Sequence, residues 1–333
     1  MLAIAARALG MMGLGTLSVK AGRQTTLGDR ATVAGVGVHT GRQVTLTLHP
    51  ADAGTGVVFV RSGADGQPEL EIRANARSVS ATELATVLGN GNGPGISTIE
   101  HIMATLCGLG VDNAVVELDG PEAPIMDGSA SPFVDAVDRA GIVTLAAPRR
   151  YTKVLKPVRV IKDNAYGELR PYEHGFRVEV EIAFDHPLIG RQQLALDVEA
   201  ATFRREIARA RTFGFMRDVG KLWSAGYALG ASLDNTLVLD EARVVNPEGL
   251  RFADEFVRHK ALDAIGDLSL AGAPILGAYR SVCGGHQLNH AVLSALIADP
   301  TAWTVVEAPM PRARGHADVA AGLVAPAYGA EVS

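Results

Sequence analysis

The sequence predicts an α+β protein built as two successive units. Three observations carry this. The chain has 333 residues, enough for two domains of ordinary size. Strand-like runs come first and helical runs after, twice over, instead of alternating strand and helix. A polar, proline-marked stretch, "AAPRR" at 146–150, separates the two occurrences. With 47% hydrophobic and 20% charged residues, the composition is that of an ordinary globular protein.

The elements follow in order. Residues 1–22 hold an apolar run that is broken by Gly10, Gly13 and Gly15 and is too short to span a bilayer. They read as a disordered leader or a misassigned start, with Met11 and Met12 as other initiators; a signal peptide ending near Ala21 is the competing reading. The first unit is placed at 23–148. In it, "TVAGVGVHTGRQVTLTLHP" (32–50) predicts a β-hairpin, and "GNGNGPG" (89–95) predicts a flexible loop with no regular structure. That loop lacks the G-K-[ST] ending of a phosphate loop. A helix follows from Ser97, "NAVVEL" (113–118) is a buried strand, and a second helix runs from near Ser129 to Gly141.

The second unit is placed at 149–312. Strands are predicted in "KVLKPVRVI" (153–161) and "FRVEVEIAF" (176–184), and a helix in "ATFRREIARA" (201–210). After a Gly- and aromatic-containing segment come long helices in "ADEFVRHKALDAIGDLSLAG" (253–272) and "GHQLNHAVLSALIA" (285–298). The tail, 313–333, is rich in Ala and Gly and reads as flexible.

Several classes of function fall away. A net charge of -5 and 5% aromatic residues supply neither a basic footprint nor stacking platforms for nucleic acid. Cys107 and Cys283 have no C-x-x-C spacing, which fits a reducing compartment and packing as small hydrophobes. Past the leader, no run reaches the ~18 apolar residues of a membrane helix, so no stable membrane insertion is expected.

Two helices carry chemistry-bearing residues. In the first, Ile99, Ile102, Met103 and Leu106 form the apolar stripe and Glu100 with His101 lies on the other side. Ser97 and Glu100 have capping-box spacing, which explains the glutamate but not the histidine. In the helix after Asp254, Val257, Ala261, Ile265 and Leu268 face one way and His259, Asp263 and Asp267 the other, at i, i+4 and i+8. Two carboxylates one turn apart repel, so a cation is expected between or beside them. His259 and Asp263 can hold a metal from one helix face with His101 as third ligand, leaving a position open for water. A solvated polar face is the competing reading.

Five segments, "STIEHIMATLCGLGVDNAVVEL", "PEAPIMDGSASPFV", "RARTFGFMRD", "LRFADEFVRHKALDAIGDL" and "GGHQLNHAVL", occur in this order within residues 23–312. Together they resemble the zinc-dependent UDP-3-O-acyl-N-acetylglucosamine deacetylase family of lipid A biosynthesis. The resemblance implies two similar α+β domains, each a sheet with paired helices, packed as a β-α-α-β sandwich with the active site between them. It implies one zinc ion on His101, His259 and Asp263, and Glu100 as general base toward the zinc-bound water. It also implies His286 as a protonated histidine opposite the base. Asp267 would orient it and offset the helix dipole, which by itself depresses the histidine pKa. Thr212 of "RTFGF" is implied to stabilise the oxyanion with zinc, and Lys260 to contact the substrate diphosphate. Phe184 of "IAFDHP" is placed near the uridine and His39 of "GVHTG" near the mouth of the site. An insert at 213–238 would enclose the acyl chain with Phe213, Met216, Val219, Leu222, Leu233 and Val238. The implied reaction is hydrolysis of the N-acetyl group of UDP-3-O-(3-hydroxyacyl)-N-acetylglucosamine by a cytoplasmic enzyme, expected to act as a monomer.

Plainer readings stand beside these. His286 with His290 forms an H-x-x-x-H pair, but Gln287 replaces the glutamate of a zincin. Lys260 could snorkel to the surface, Phe184 and the apolar insert residues could be core, and His39 could be a turn residue. Asp127 and Ser129 of "PIMDGSA" read as turn and cap residues. At the level of function, the rivals are another metal hydrolase, such as a peptidase, and a non-catalytic nucleotide-sugar binder.

Overall fold

The computed structural model describes residues 22–63, 70–89 and 93–309; the readings of the leader before Gly22 and of the tail lie outside them. The first half runs β1 (Arg23–Leu27), β2 (Ala31–Val36), β3 (Gln43–Pro50), β4 (Val57–Arg61), β5 (Leu70–Arg73), β6 (Val79–Ala81), β7 (Val87–Gly89), β8 (Gly95–Ile96), α1 (Glu100–Leu109), β9 (Ala114–Leu118), α2 (Ser131–Ala140) and β10 (Ile142–Pro148). The predicted hairpin forms: β2 and β3 pair antiparallel from Ala31↔Leu48 to Val36↔Gln43. They belong to a five-stranded sheet in the order β2-β3-β9-β4-β5. The ends of "GNGNGPG" are regular, contrary to expectation, because β7 and β8 pair through Leu88↔Ile96 and Gly89↔Gly95. A Cβ on Gly95 would lie 2.7 Å from the Leu88 carbonyl oxygen, so the glycine is what lets the strands close.

The second half runs β11 (Arg150–Val154), β12 (Val158–Lys162), β13 (Ala165–Arg170), β14 (Phe176–Phe184), β15 (Gly190–Asp197), α3 (Ala200–Thr202), β16 (Phe213–Phe215), α4 (Val219–Ser224), β17 (Leu237–Leu239), α5 (Glu255–Leu268), β18 (Ile275–Val282), α6 (His286–Ala298) and β19 (Trp303–Glu307). "KVLKPVRVI" is the end of β11 and most of β12, with Pro157, which has no N–H to donate, between them. Seven strands form one sheet in which β18 pairs with β13, β14 and β11. The helix predicted at 201–210 is a correction: after α3, residues Phe203–Ile207 make a π-helical turn closed by the Ala208 N–H on the Phe203 carbonyl. Phe203 is buried against Gly108 of α1, where a Cβ would sit 2.4 Å from the ring. Carbonyls late in the wide turn and just after it accept from side chains of α5 and its approach instead of continuing the helix: Glu206 from Arg258 and Arg209 from Arg251.

The helices lie between the sheets. On one side α2 packs on β2 and against α1; on the other α5 packs on β14 and β15, and α6 on β12 and β13. The α1 and α5 helices meet in the middle, so close that a Cβ on Gly266 would stand 2.1 Å from the Glu100 carbonyl oxygen. This is the expected α+β class with a sheet–helix–helix–sheet arrangement. The polar side of α1, read as facing away from its own core, is buried by α5: nine of its ten residues are buried.

Candidate active site

Two buried anchors set the start of α5. Glu255, its first residue, accepts from the Arg211 backbone N–H (3.0 Å), the Arg211 Nε (2.9 Å) and the Arg251 N–H (2.6 Å). With the helix so fixed, His259 and Asp263 one turn apart face α1 and meet His101 there. The three residues are buried and their ligand atoms lie within 4.8 Å of one another. His259 Nε2 is 3.4 Å and His101 Nε2 3.9 Å from Asp263 Oδ1. Ligands at ~2.0–2.2 Å around a tetrahedral ion stand roughly this far apart. The His259 Nδ1–H donates to the Ala210 carbonyl at 3.0 Å, beyond the π turn, which leaves Nε2 as the lone-pair nitrogen.

The protonation states fit a cation. Burial and then His259 push His101 down to about 3, and burial lowers His259 despite Asp263. Burial opposes the Asp263 charge, but Lys260 and the histidines hold its carboxyl well below the usual range. Two neutral imidazoles and one carboxylate are a zinc-type donor set. The repulsion expected between Asp263 and Asp267 is answered from two sides: Lys260 Nζ lies 2.9 Å from Asp263 Oδ2, and His286 Nδ1 2.9 Å from Asp267 Oδ2. Lys260 does not snorkel.

Glu100 is not a capping residue. It is itself the first residue of α1, the Ser97 hydroxyl points to the Pro121 carbonyl at 3.4 Å, and Ile99 at the cap makes no side-chain bond. Instead Glu100 Oε2 accepts the Thr86 N–H at 3.1 Å. Burial lifts its carboxyl to about 7, with Asp267 adding to the rise and His286 opposing it. His286 opens α6, and its pKa is raised, in the direction expected of an imidazole held by Asp267. Burial lowers it, but the Asp267 charge and hydrogen bond, with Glu100 and Asp263 adding, outweigh burial, and the imidazole is raised to about 10. Asp267 is held by three donors: His286 Nδ1–H, Asn289 Nδ2 at 2.8 Å and Thr86 Oγ1 at 2.5 Å. His290 points elsewhere, toward Ser294 at 3.3 Å, so the H-x-x-x-H pair does not form a site.

Around this centre, Phe213 packs edge-on against Phe184 (5.7 Å), Phe256 (5.0 Å) and His259 (6.5 Å), and Lys260 Nζ lies 5.8 Å from its ring. Phe184 is half-buried in this aromatic cluster. Thr212, also half-buried, is held by its backbone: its N–H donates to Gly128 and its carbonyl accepts from Leu237, both at 2.8 Å. His39 is indeed in a turn, and the turn touches the insert, with the ring edge-on to Tyr227 at 5.5 Å and the Leu229 N–H on its carbonyl at 3.1 Å. Within the insert Val219, Leu222 and Val238 are half-buried, whereas Met216 and Leu233 are 48% and 41% exposed, which core packing does not explain. Asp127 and Ser129 bond to each other, and Asp127 pairs with Arg251 at 2.9 Å, a structural pairing as read.

Sequence reasoning passed over Thr86, Asn289 and Glu122. Glu122, buried, accepts from the His39 and Thr40 N–H groups and from the Thr40 and Thr98 hydroxyls at 2.7–2.9 Å, and so fixes the His39 turn. None of these three sits in a spacing that marks it. Cavities of about 220 and 370 Å³ lie around Cys107 and Arg149 near the far end of α1, and none of the titratable groups above lines them.

The family model described as LpxC, UDP-3-O-acyl N-acetylglycosamine deacetylase, matches residues 24–298. UDP-3-O-acyl-N-acetylglucosamine deacetylases of Brucella ovis, Brucella canis and Brucella melitensis are each 52% identical over 286 residues, 86% of this chain and 99% of theirs. A family match over most of the chain, with relatives of this identity covered almost end to end, places the chain in the UDP-3-O-acyl-N-acetylglucosamine deacetylase (LpxC) family.

Proposed function

We propose that this chain is a zinc-dependent amidohydrolase that removes the N-acetyl group of UDP-3-O-(3-hydroxyacyl)-N-acetylglucosamine, yielding the free amine and acetate, the committed step of lipid A biosynthesis. The observation that carries the reading is a buried His101, His259 and Asp263 set with the buried Glu100 carboxylate next to His101 in α1 and Asp267, one turn after Asp263 in α5, holding the His286 imidazole. Zinc bound to His101, His259 and Asp263 would supply a Lewis acid for the acetyl carbonyl and for the attacking water.

The chain's own groups do the rest. Glu100, near neutrality in pKa, takes the proton of the water that attacks the acetyl carbon. His286 keeps its Nδ1–H on Asp267, so Nε2 is the nitrogen turned to the substrate. Its raised pKa keeps it protonated, and it gives that proton to the amine nitrogen as the C–N bond breaks. Thr212 is assigned to the oxyanion beside the metal, Lys260 to the diphosphate, Phe184 to the uridine and His39 to the mouth. Phe213, Met216, Val219, Leu222, Leu233 and Val238 are assigned to the acyl chain. No described helix is long and apolar enough to cross a membrane, and we place the reaction in the cytoplasm.

The test is direct. Zinc-loaded protein is expected to release acetate from the UDP-sugar and to leave peptides intact. Dialysis against a chelator should abolish turnover and zinc should restore it. Failure of the zinc-loaded protein to release acetate would overturn the reading.

A further inference from the structure

The geometry points to Thr86 as the positioning residue that sets the candidate base and the candidate acid relative to one another, so that one residue holds both sides of the reaction. The proposal rests on the deacetylase reading of the site and deepens it. Thr86 lies in the turn between β6 and β7 and is 1% exposed. Its two donor groups serve as handles on different partners. The backbone N–H donates to Glu100 Oε2, 14 residues on, and the hydroxyl donates to Asp267 Oδ1, 181 residues on. Between them they tie the carboxylate at the start of α1 to the carboxylate on α5 that holds His286. The hydroxyl also passes 3.4 Å from His286 Nδ1, too long for a strong bond and short enough to exclude another donor or a water there.

The donor count explains why a hydroxyl is required. Asp267 is 2% exposed, and its Oδ2 already accepts from His286 and Asn289. Thr86 supplies the one bond found on Oδ1 among the described residues. A buried carboxylate oxygen without a donor is costly, so its loss turns the carboxylate toward other donors and with it the imidazole. The neighbouring backbone favours a fixed Thr86. Leu84 stands at φ 63°, and the Thr86 carbonyl accepts from the Ile99 N–H at 3.4 Å just ahead of α1. The turn is thereby bound to the same helix start whose glutamate it orients. A structural role alone would use either handle. Using both, on the two carboxylates that flank the metal set, is what marks a positioning residue.

The test compares Thr86→Val, which keeps shape and the backbone N–H but loses the hydroxyl, with Thr86→Ser, which keeps the hydroxyl. Thr86→Val is expected to lower kcat roughly 10- to 100-fold, the range for lost support of a catalytic group, with KM and zinc content unchanged. Thr86→Ser should stay within about threefold of the parent. In an Asp267→Asn background, Thr86→Val should add almost nothing, because the hydroxyl acts through Asp267; independent structural damage would multiply instead. A readout that needs no turnover is the His286 Nδ1–H proton resonance, which Thr86→Val should move or broaden and Thr86→Ser should leave in place. Near-parental kcat in Thr86→Val, multiplicative losses in the double variant, or an unmoved His286 resonance would each overturn the proposal. If the parent enzyme itself releases no acetate while the resonance behaves as expected, the deacetylase reading fails and the placement of His286 by Thr86 stands.

Discussion

Glu100 shows how one residue can satisfy a sequence rule and do something else. Its S-x-x-E spacing with Ser97 is that of a capping box, yet its carboxylate turns to Thr86 and is buried beside the metal set. Burial raises its pKa from 4.5 to about 7. Between those values the folded chain binds a proton the unfolded chain has released, so stability falls as pH rises through the window, and the loss is complete above it. Glu100→Gln therefore has two expected effects: kcat falls by roughly 10²–10⁴, and chelator-treated protein melts a few degrees higher than the parent at pH 8, with no such gain at pH 4. A kinetic assay and thermal scans at both pH values check this. A second pair of variants separates ligand from acid. His259→Ala is expected to lose both zinc and turnover, whereas His286→Gln should lose most turnover and keep its zinc, as read by metal analysis of the purified variants.

At the scale of elements, the site depends on how closely two helices approach. Gly266 of α5 faces the Glu100 carbonyl at a distance that leaves no room for a methyl group, and the atom in the way is backbone. Gly266→Ala should push α1 away from α5, at a cost of about 1–3 kcal/mol. It should also lower kcat, since α1 carries both Glu100 and His101; urea denaturation and turnover measure the two. The stop at Gly110 was open to sequence rules in kind, with φ 78° and the Val111 N–H on the Leu106 carbonyl. The π turn at 203–207 was not. Its residues read as an ordinary helix, and only contact with Gly108 and with the side chains of α5 gives the wider turn its partners.

For the whole molecule, the two titrating groups define the pH response. With Glu100 as the proposed base and His286 as the proposed acid, kcat/KM should rise with pH through about 7 as the carboxyl ionises and fall through about 10 as the imidazole loses its proton. A bound cation would draw the acidic limb lower by favouring the carboxylate. Asp267→Asn removes the charge that raises His286, and the basic limb should move to lower pH; a pH profile of the variant shows it. The insert has its own expectation. The exposed Met216 and Leu233 should gain cover from a long acyl group. Met216→Asp or Leu233→Asp is thus expected to raise KM roughly tenfold for a long-chain substrate and little for a short-chain one, as steady-state kinetics on the two would show.

The sequence by itself determined the α+β class, the long helices and the hairpin, because period and turn chemistry are local. It also singled out His259 with Asp263, one turn apart on one helix face, and Glu100 beside His101. Tertiary structure alone decided what these residues meet. The α5 helix buries the polar side of α1 and turns two amphipathic faces into a single enclosed site. Asp267 outweighs burial at His286 because it lies 2.9 Å away in a medium that screens little. Thr86, Asn289 and Glu122 became visible only in three dimensions, since a hydrogen bond between residues 86 and 267 leaves no period, spacing or composition in the chain that makes it.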